Sequence, residues 1–143
     1  MARREGTAVL DDDSPEGGAV PSLTLDLRPC APMVRRARRV LEAFIDGQLG
    51  TADREVAVLL TSELVANAVV HAATPFTVRV QLRSAVVRVE VTDAGSTAVD
   101  PVSRGPGAEG GRGLLLVDAL ASSWGTERHP HSTTVWFELH REG

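Results

Sequence analysis

Glu63, Asn67 and His71 follow one another at intervals of four, the spacing that stacks side chains along one face of an α-helix. Val56, Leu59, Leu60, Leu64 and Val70 project onto that same face. A carboxylate and an amide among apolar side chains need partners. An unpaired buried carboxylate costs several kcal/mol and an unpaired buried amide about 1–3 kcal/mol. A magnesium ion with a nucleotide meets that need, because Asn offers a hard oxygen ligand and magnesium favours oxygen, water and phosphate. Two other readings fit the same residues. Glu63 can pair with an arginine and Asn67 with backbone in a structural network. Alternatively, Val58, Val65 and Val69 make the opposite face apolar as well, so the helix can be buried all round. His71 is assigned no chemistry.

Two further clusters carry chemistry. Val89 to Thr92 leads straight into Asp93, Ala94 and Gly95, which sets a carboxylate at a strand end, where it can accept a hydrogen bond from an exocyclic amine such as that of adenine. Gly95 lets backbone approach a flat ring, although Asp followed by Gly also marks an ordinary turn. Gly110, Gly111, Arg112 and Gly113 open an apolar helical stretch, and the free N–H groups of a helix start suit phosphate. Glycines before a helix also permit close packing.

The elements that position these residues follow from periodicity. Ser22 to Leu27 alternates as a half-buried strand. Pro32 to Leu49 carries apolar residues at helical spacing, with Gly50 as its stop. A second helix is predicted from about Ala52 to Ala73, capped by Thr51, with Asp53 and Glu55 near its start and Pro75 barring its continuation. Phe76 to Leu82 and Val86 to Thr92 alternate around a short turn, as an antiparallel hairpin does. Ser96 to Gly111 is rich in glycine and proline, a stretch of the length that is functional or disordered in compact domains. A helix over Arg112 to Ser122, a short strand over Trp124 to Arg128 and a last strand over Thr133 to Leu139 complete the chain. Met1 to Val20 is polar, acidic and without periodicity and reads as a disordered tail, leaving 21–143 as the folded domain. This order lacks repeated βαβ units, so the expected fold class is α+β: a two-layer α/β sandwich with a mixed, mostly antiparallel sheet and helices on one face.

Composition narrows the chemistry. The 143 residues, 43% hydrophobic, suit one globular domain. All 15 basic residues are arginine. Without lysine there is no Walker-type phosphate loop, no protein-kinase strand lysine and no Schiff base. A net charge of −4 argues against broad nucleic-acid binding, and the Arg35 to Arg39 cluster is the one feature that favours it. Arg38, beside Arg35 and Arg39, can meet an acidic partner or pair with Glu42 on its own helix. The lone Cys30 fits a reducing compartment, no apolar run reaches a membrane span, and the start lacks a signal-peptide pattern.

Taken together, Ser62 to Ala72 (SELVANAVVHA), Val91 to Ser96 (VTDAGS) and Gly110 to Val117 (GGRGLLLV) resemble, in order and spacing, the N box and two glycine boxes of the GHKL ATPases. Within that superfamily the sequence is most similar to the RsbW-like anti-sigma-factor serine kinases, from about Leu23 to Leu139. The resemblance implies a Bergerat-type sandwich that holds ATP and Mg2+ between the second helix and a lid over Ser96 to Gly111. By matching position, Glu63 is the general base for the attacking hydroxyl and Asn67 the magnesium ligand. Asp93 bonds adenine with Gly95 beside it, Gly111 and Gly113 cradle phosphates, Arg112 assists, and Thr134 lines the adenine end. The resemblance implies a cytoplasmic regulator: a homodimer that sequesters a sigma factor and phosphorylates a serine on an anti-anti-sigma (STAS-type) partner, with no membrane and no direct nucleic-acid contact. One position departs from the family pattern: Thr97 stands where the first glycine box often has its second glycine. That departure favours the alternative, a module that binds ATP or ADP and a protein partner without transferring phosphate.

Overall fold

The computed structural model describes residues 6–12, 20–72, 74–94 and 111–141. Strict alternation makes the strands. In β2 (Pro21–Leu27) Leu23, Leu25 and Leu27 turn inward, and in β3 (Phe76–Leu82) Phe76, Val78, Val80 and Leu82 do the same. β4 (Val86–Asp93) buries Val87, Val89, Val91 and Asp93, and β6 (Ser132–His140) buries Thr133, Val135, Phe137 and Leu139. β1 (Gly6–Asp12) and β5 (Ser123–His129) complete a six-stranded sheet in the order β1-β2-β3-β4-β6-β5. Every pairing among these strands is antiparallel, so the sheet expected to be mixed but mostly antiparallel is antiparallel throughout the described strands, within the expected α+β class.

The helices supply the second layer. α1 (Pro32–Phe44) starts with proline at its first position, where the missing N–H costs nothing, and turns Met33, Ala37 and Leu41 inward. α2 (Thr51–Asn67) turns Ala57, Leu60, Thr61, Leu64 and Val65 inward, and α3 (Gly111–Leu120) turns Leu114 and Val117. These side chains and the inward strand residues form one apolar core, which places the helices on one face of the sheet. Each fully buried leucine or valine contributes about 1.5–3 kcal/mol, so this layer contact dominates the fold.

Several boundaries differ from the sequence reading. Gly6–Asp12 does not follow the expectation of an unstructured tail: it runs antiparallel to β2, with Leu10 opposite Leu23. α1 stops at Phe44 rather than Leu49, because the chain turns at Gly47, whose φ of +77° suits glycine. Gly50, read as the stop, is instead the residue before α2. Thr51, read as the cap, is the first helical residue. α2 passes after Asn67 into a π-helical turn, Ala68–Ala72, a wider winding found frequently at functional sites. No helix among the described residues is long and apolar enough to cross a membrane.

Candidate functional site

The inward stripe of α2 explains where its polar row can lie. Leu60 and Leu64 belong to the core, whereas Glu63 lies about 80° and Asn67 about 40° around the helix from their mean direction, both half-buried. The apolar neighbours expected to share a sealed face do not seal it. Leu59 is 40% exposed and Val70 is 56% exposed, so this side of the helix is open. The reading of α2 as a helix buried all round therefore fails. Glu63 lines an open cavity of about 380 Å³ between α1 and α2, together with Arg38 and Glu42 of α1 and Arg54, Leu59 and Ser62 of α2. Glu63 makes no ion pair among the described residues, so the arginine partner of the structural-network reading is not there. Asn67 does engage a partner. His71 lies in the π-helical turn, where the wider winding takes it out of the regular four-residue register.

The strand ends build a second group. Asp93 is the last residue of β4, 7% exposed, and stands in register with Phe76 on one side and Thr133 on the other. Thr133 is 1% exposed, and its Oγ1 has no hydrogen-bond partner among the described residues. Thr134 is placed otherwise. Consecutive strand residues point to opposite sides, so Thr134 turns to the outer face of the sheet, where its hydroxyl lies 2.7 Å from that of Thr92. The adenine-end threonine expected at 134 thus does not share a face with Asp93; Thr133 does. The missed signal was in the sequence: Val135, Phe137 and Leu139 point to the core, and 133 continues their alternation.

Gly111, Arg112 and Gly113 form the first turn of α3, whose leading N–H groups have no acceptor within the helix. α3 packs against α2, with Leu114 and Val117 buried. Gly95, Thr97 and the lid expected over Ser96 to Gly111 fall outside the described residues, except Gly111 itself.

These groups fit an adenine nucleotide in their chemistry. Asp93 is a buried acceptor, Thr133 carries an orphaned buried hydroxyl across from it, and a helix start offers amides. For a metal the donor set is thin. Among the described residues no group of three or more His, Cys, Asp or Glu converges on one point. Magnesium does not need such a cage, since it keeps several waters and uses substrate phosphates.

The chain is similar to known proteins in sequence family and in fold. A family model described as histidine kinase-like ATPase domain matches residues 30–139. No curated protein matches the chain significantly. Among solved structures, the crystal structure of the RsbU and RsbW domains of Rv1364c from Mycobacterium tuberculosis is similar in fold. Its TM-score is 0.68 at 22% sequence identity over 88% of this chain. The chain spans 34% of the length of that one.

Proposed function

This chain belongs to the histidine kinase-like ATPase domain family, and from that premise we propose that it binds ATP with Mg2+ and acts as an anti-sigma serine kinase toward an anti-anti-sigma partner. The observation that carries the proposal is the open flank of α2. Glu63 is half-buried, lines a cavity and has no ion-pair partner among the described residues, which is how a proton acceptor must stand to reach an incoming hydroxyl.

The residues divide the work. Asp93 accepts the hydrogen bond of the adenine amine, and Thr133 completes that end. The family resemblance assigns Gly95 a place beside the ring. Gly111 and Gly113 present amides to phosphate at the start of α3, with Arg112 as a neighbouring cation. Asn67 gives magnesium one protein oxygen. Bound Mg-ATP supplies the phosphoryl group, with ADP as the leaving group. Glu63 takes the proton of the acceptor serine on its carboxylate as the serine oxygen–phosphorus bond forms and the bond to ADP breaks. With no lysine in the chain, backbone amides and Arg112 carry the electrostatic role that lysine has in other phosphate sites.

Sequestration of a sigma factor, a homodimeric state and a cytoplasmic location belong to the same proposal, supported by the family resemblance and, for location, by the lone Cys30. The Thr97 departure supports the second reading, a nucleotide-binding regulator without phosphotransfer.

The test is a thermal-shift titration with Mg-ATP and Mg-ADP, followed by incubation with labelled ATP and a serine-bearing anti-anti-sigma protein. Selective binding raises the melting temperature by mass action. Transfer of label establishes the kinase, binding without transfer establishes the regulator, and no binding at all overturns both.

A further inference from the structure

β5 closes one side of the sheet, and its outer edge is unguarded. Edge strands that avoid pairing carry proline, lysine or a bulge. β5 has none of these, and it matches β6 one to one from Ser123–Glu138 to His129–Ser132. The two-residue turn at 130–131 makes His129 and Ser132 the hydrogen-bonded closing pair. Alternation then turns the backbone N–H and C=O of Trp124, Thr126 and Arg128 outward, where no described strand pairs with them. Thr126 to His129 are exposed. Helix α3 flanks this edge: it packs against β5, and Trp124 Nε1 donates to Asp118 Oδ1 at 2.9 Å. Leu115 stands about 60° round α3 from Asp118 and is 50% exposed, with exposed Ala119 one turn on. An apolar outward side on a helix beside an open strand edge marks a surface built for contact.

We infer that a second copy of this chain docks on this edge, its β5 antiparallel to the first about a two-fold axis at Thr126. The inference rests on the homodimeric state within the proposed function and adds the surface that makes it. Hydrogen bonding and charge choose the register. With Thr126 opposite its own copy, the outward groups of Trp124, Thr126 and Arg128 meet those of the partner's Arg128, Thr126 and Trp124, closing about six backbone hydrogen bonds. No like charges stand directly opposite: Glu127 meets Gly125, and His129 meets Ser123. A shift of two residues towards the turn would set Glu127 against Glu127. A shift the other way would leave Arg128 opposite Ser122, outside the strand. In the favoured register Arg128 reaches the partner's Trp124 on the helix side, beside the Asp118 carboxylate that this indole holds. Arg128 also engages a group of its own chain, and the five donors of a guanidinium serve both. The same two-fold keeps both helix layers on one side of the joined sheet. Paired strands lie about 4.8 Å apart and packed helices about 8–10 Å apart, so two α3 helices, each seated on its own β5, approach with Leu115 and Ala119 on their facing sides.

The test reads the mass of the full chain in solution over a concentration series, by light scattering and sedimentation. The parent chain is expected to be a dimer. Thr126→Pro removes an outward N–H that the single chain does not use, so the melting temperature should hold while association weakens by at least about ten-fold. Arg128→Glu should weaken the dimer by about ten-fold, because it sets a carboxylate beside the partner's Asp118, and adding Asp118→Arg should recover part of that loss. A misfolded variant would not be recovered by a second charge change. Crosslinking reads the register without relying on proline. In a Cys30→Ser background, the shortest thiol-to-thiol crosslinker should join Thr126→Cys chains, about 5.5 Å apart across the axis, but not Ser123→Cys chains, about 20 Å apart. A dimer that survives Thr126→Pro, or that crosslinks equally at both positions, overturns the inference and leaves the homodimeric state to another surface. A monomeric parent chain overturns the inference and the homodimeric state together. Mg-ATP binding by the same samples reports on the nucleotide reading, which none of these outcomes touches.

Discussion

Thr133 faces Asp93 across the β4–β6 pairing, and both are buried on the helix side of the sheet, yet the threonine hydroxyl has no partner among the described residues. An orphaned buried hydroxyl is a cost that valine, of nearly the same shape, removes. Thr133→Val is therefore expected to raise the melting temperature of the nucleotide-free protein while weakening adenine-nucleotide affinity by about ten-fold. Thr134→Val should do the opposite. It loses the 2.7 Å hydroxyl pair with Thr92, about 1 kcal/mol of stability, and leaves affinity unchanged. Calorimetric titration beside thermal melts separates the two, and equal effects at both positions would remove the nucleotide site from this strand end.

Glu63→Gln keeps the size and flank position of the side chain but removes the proposed proton acceptor. Nucleotide binding should persist, and label transfer to a serine partner should fall by about 100-fold or more. A variant that transfers at the parent rate would show that Glu63 is not the base.

Asn67→Ala removes, at the end of α2, the side-chain oxygen proposed to hold magnesium. The part of the nucleotide-induced thermal shift that depends on magnesium should disappear, with a smaller metal-independent shift left behind. Titrations with and without a chelator measure this, and a magnesium response equal to that of the parent would contradict the assignment.

Most of the layer structure was legible because it depends on short-range alternation. Phe76, Val78, Val80 and Leu82 repeat every second residue, and burial follows that repeat without exception. The failures have physical causes as well. An apolar residue on a helix reads as core, but Leu59 and Val70 stay exposed because the face they occupy has no second layer among the described residues. Thr133 and Thr134 look equivalent as residue types, and only the inward phase of β6 tells them apart. The strand over Gly6–Asp12 was invisible because its acidic composition suggests a tail, whereas its place depends on the free edge of β2, a property of the assembled sheet.

The outer face of the sheet offers a test of stability separate from the site. The ring of Trp136 lies over Gly125 of β5, and the Arg88 guanidinium carbon lies 4.1 Å from the ring centroid. Arg88 also bonds Glu90 at 2.8 Å and Glu138 at 3.0 Å. Burial lowers the pKa of Arg88, but the hydrogen bonds to the two glutamates outweigh it and hold the pKa above its ordinary value. A cation with a raised folded-state pKa contributes stability at every pH below its unfolded value and loses it only in strong alkali. Arg88 thus keeps its charge throughout the working range. Gly125 permits the arrangement: a Cβ there would lie 2.9 Å from Trp136 Cζ2 and 3.0 Å from Cε2 and Nε1. Gly125→Ala must therefore push the ring away and disturb its stacking on Arg88, at an expected cost of about 1–3 kcal/mol. Denaturant unfolding should show this loss unchanged between neutral pH and mild alkali, with nucleotide affinity intact because Asp93 and Thr133 lie on the other face. A cost that vanishes in mild alkali would contradict the persistent charge on Arg88, and an unchanged unfolding midpoint would show that the ring moves freely and the outer face is not packed as described.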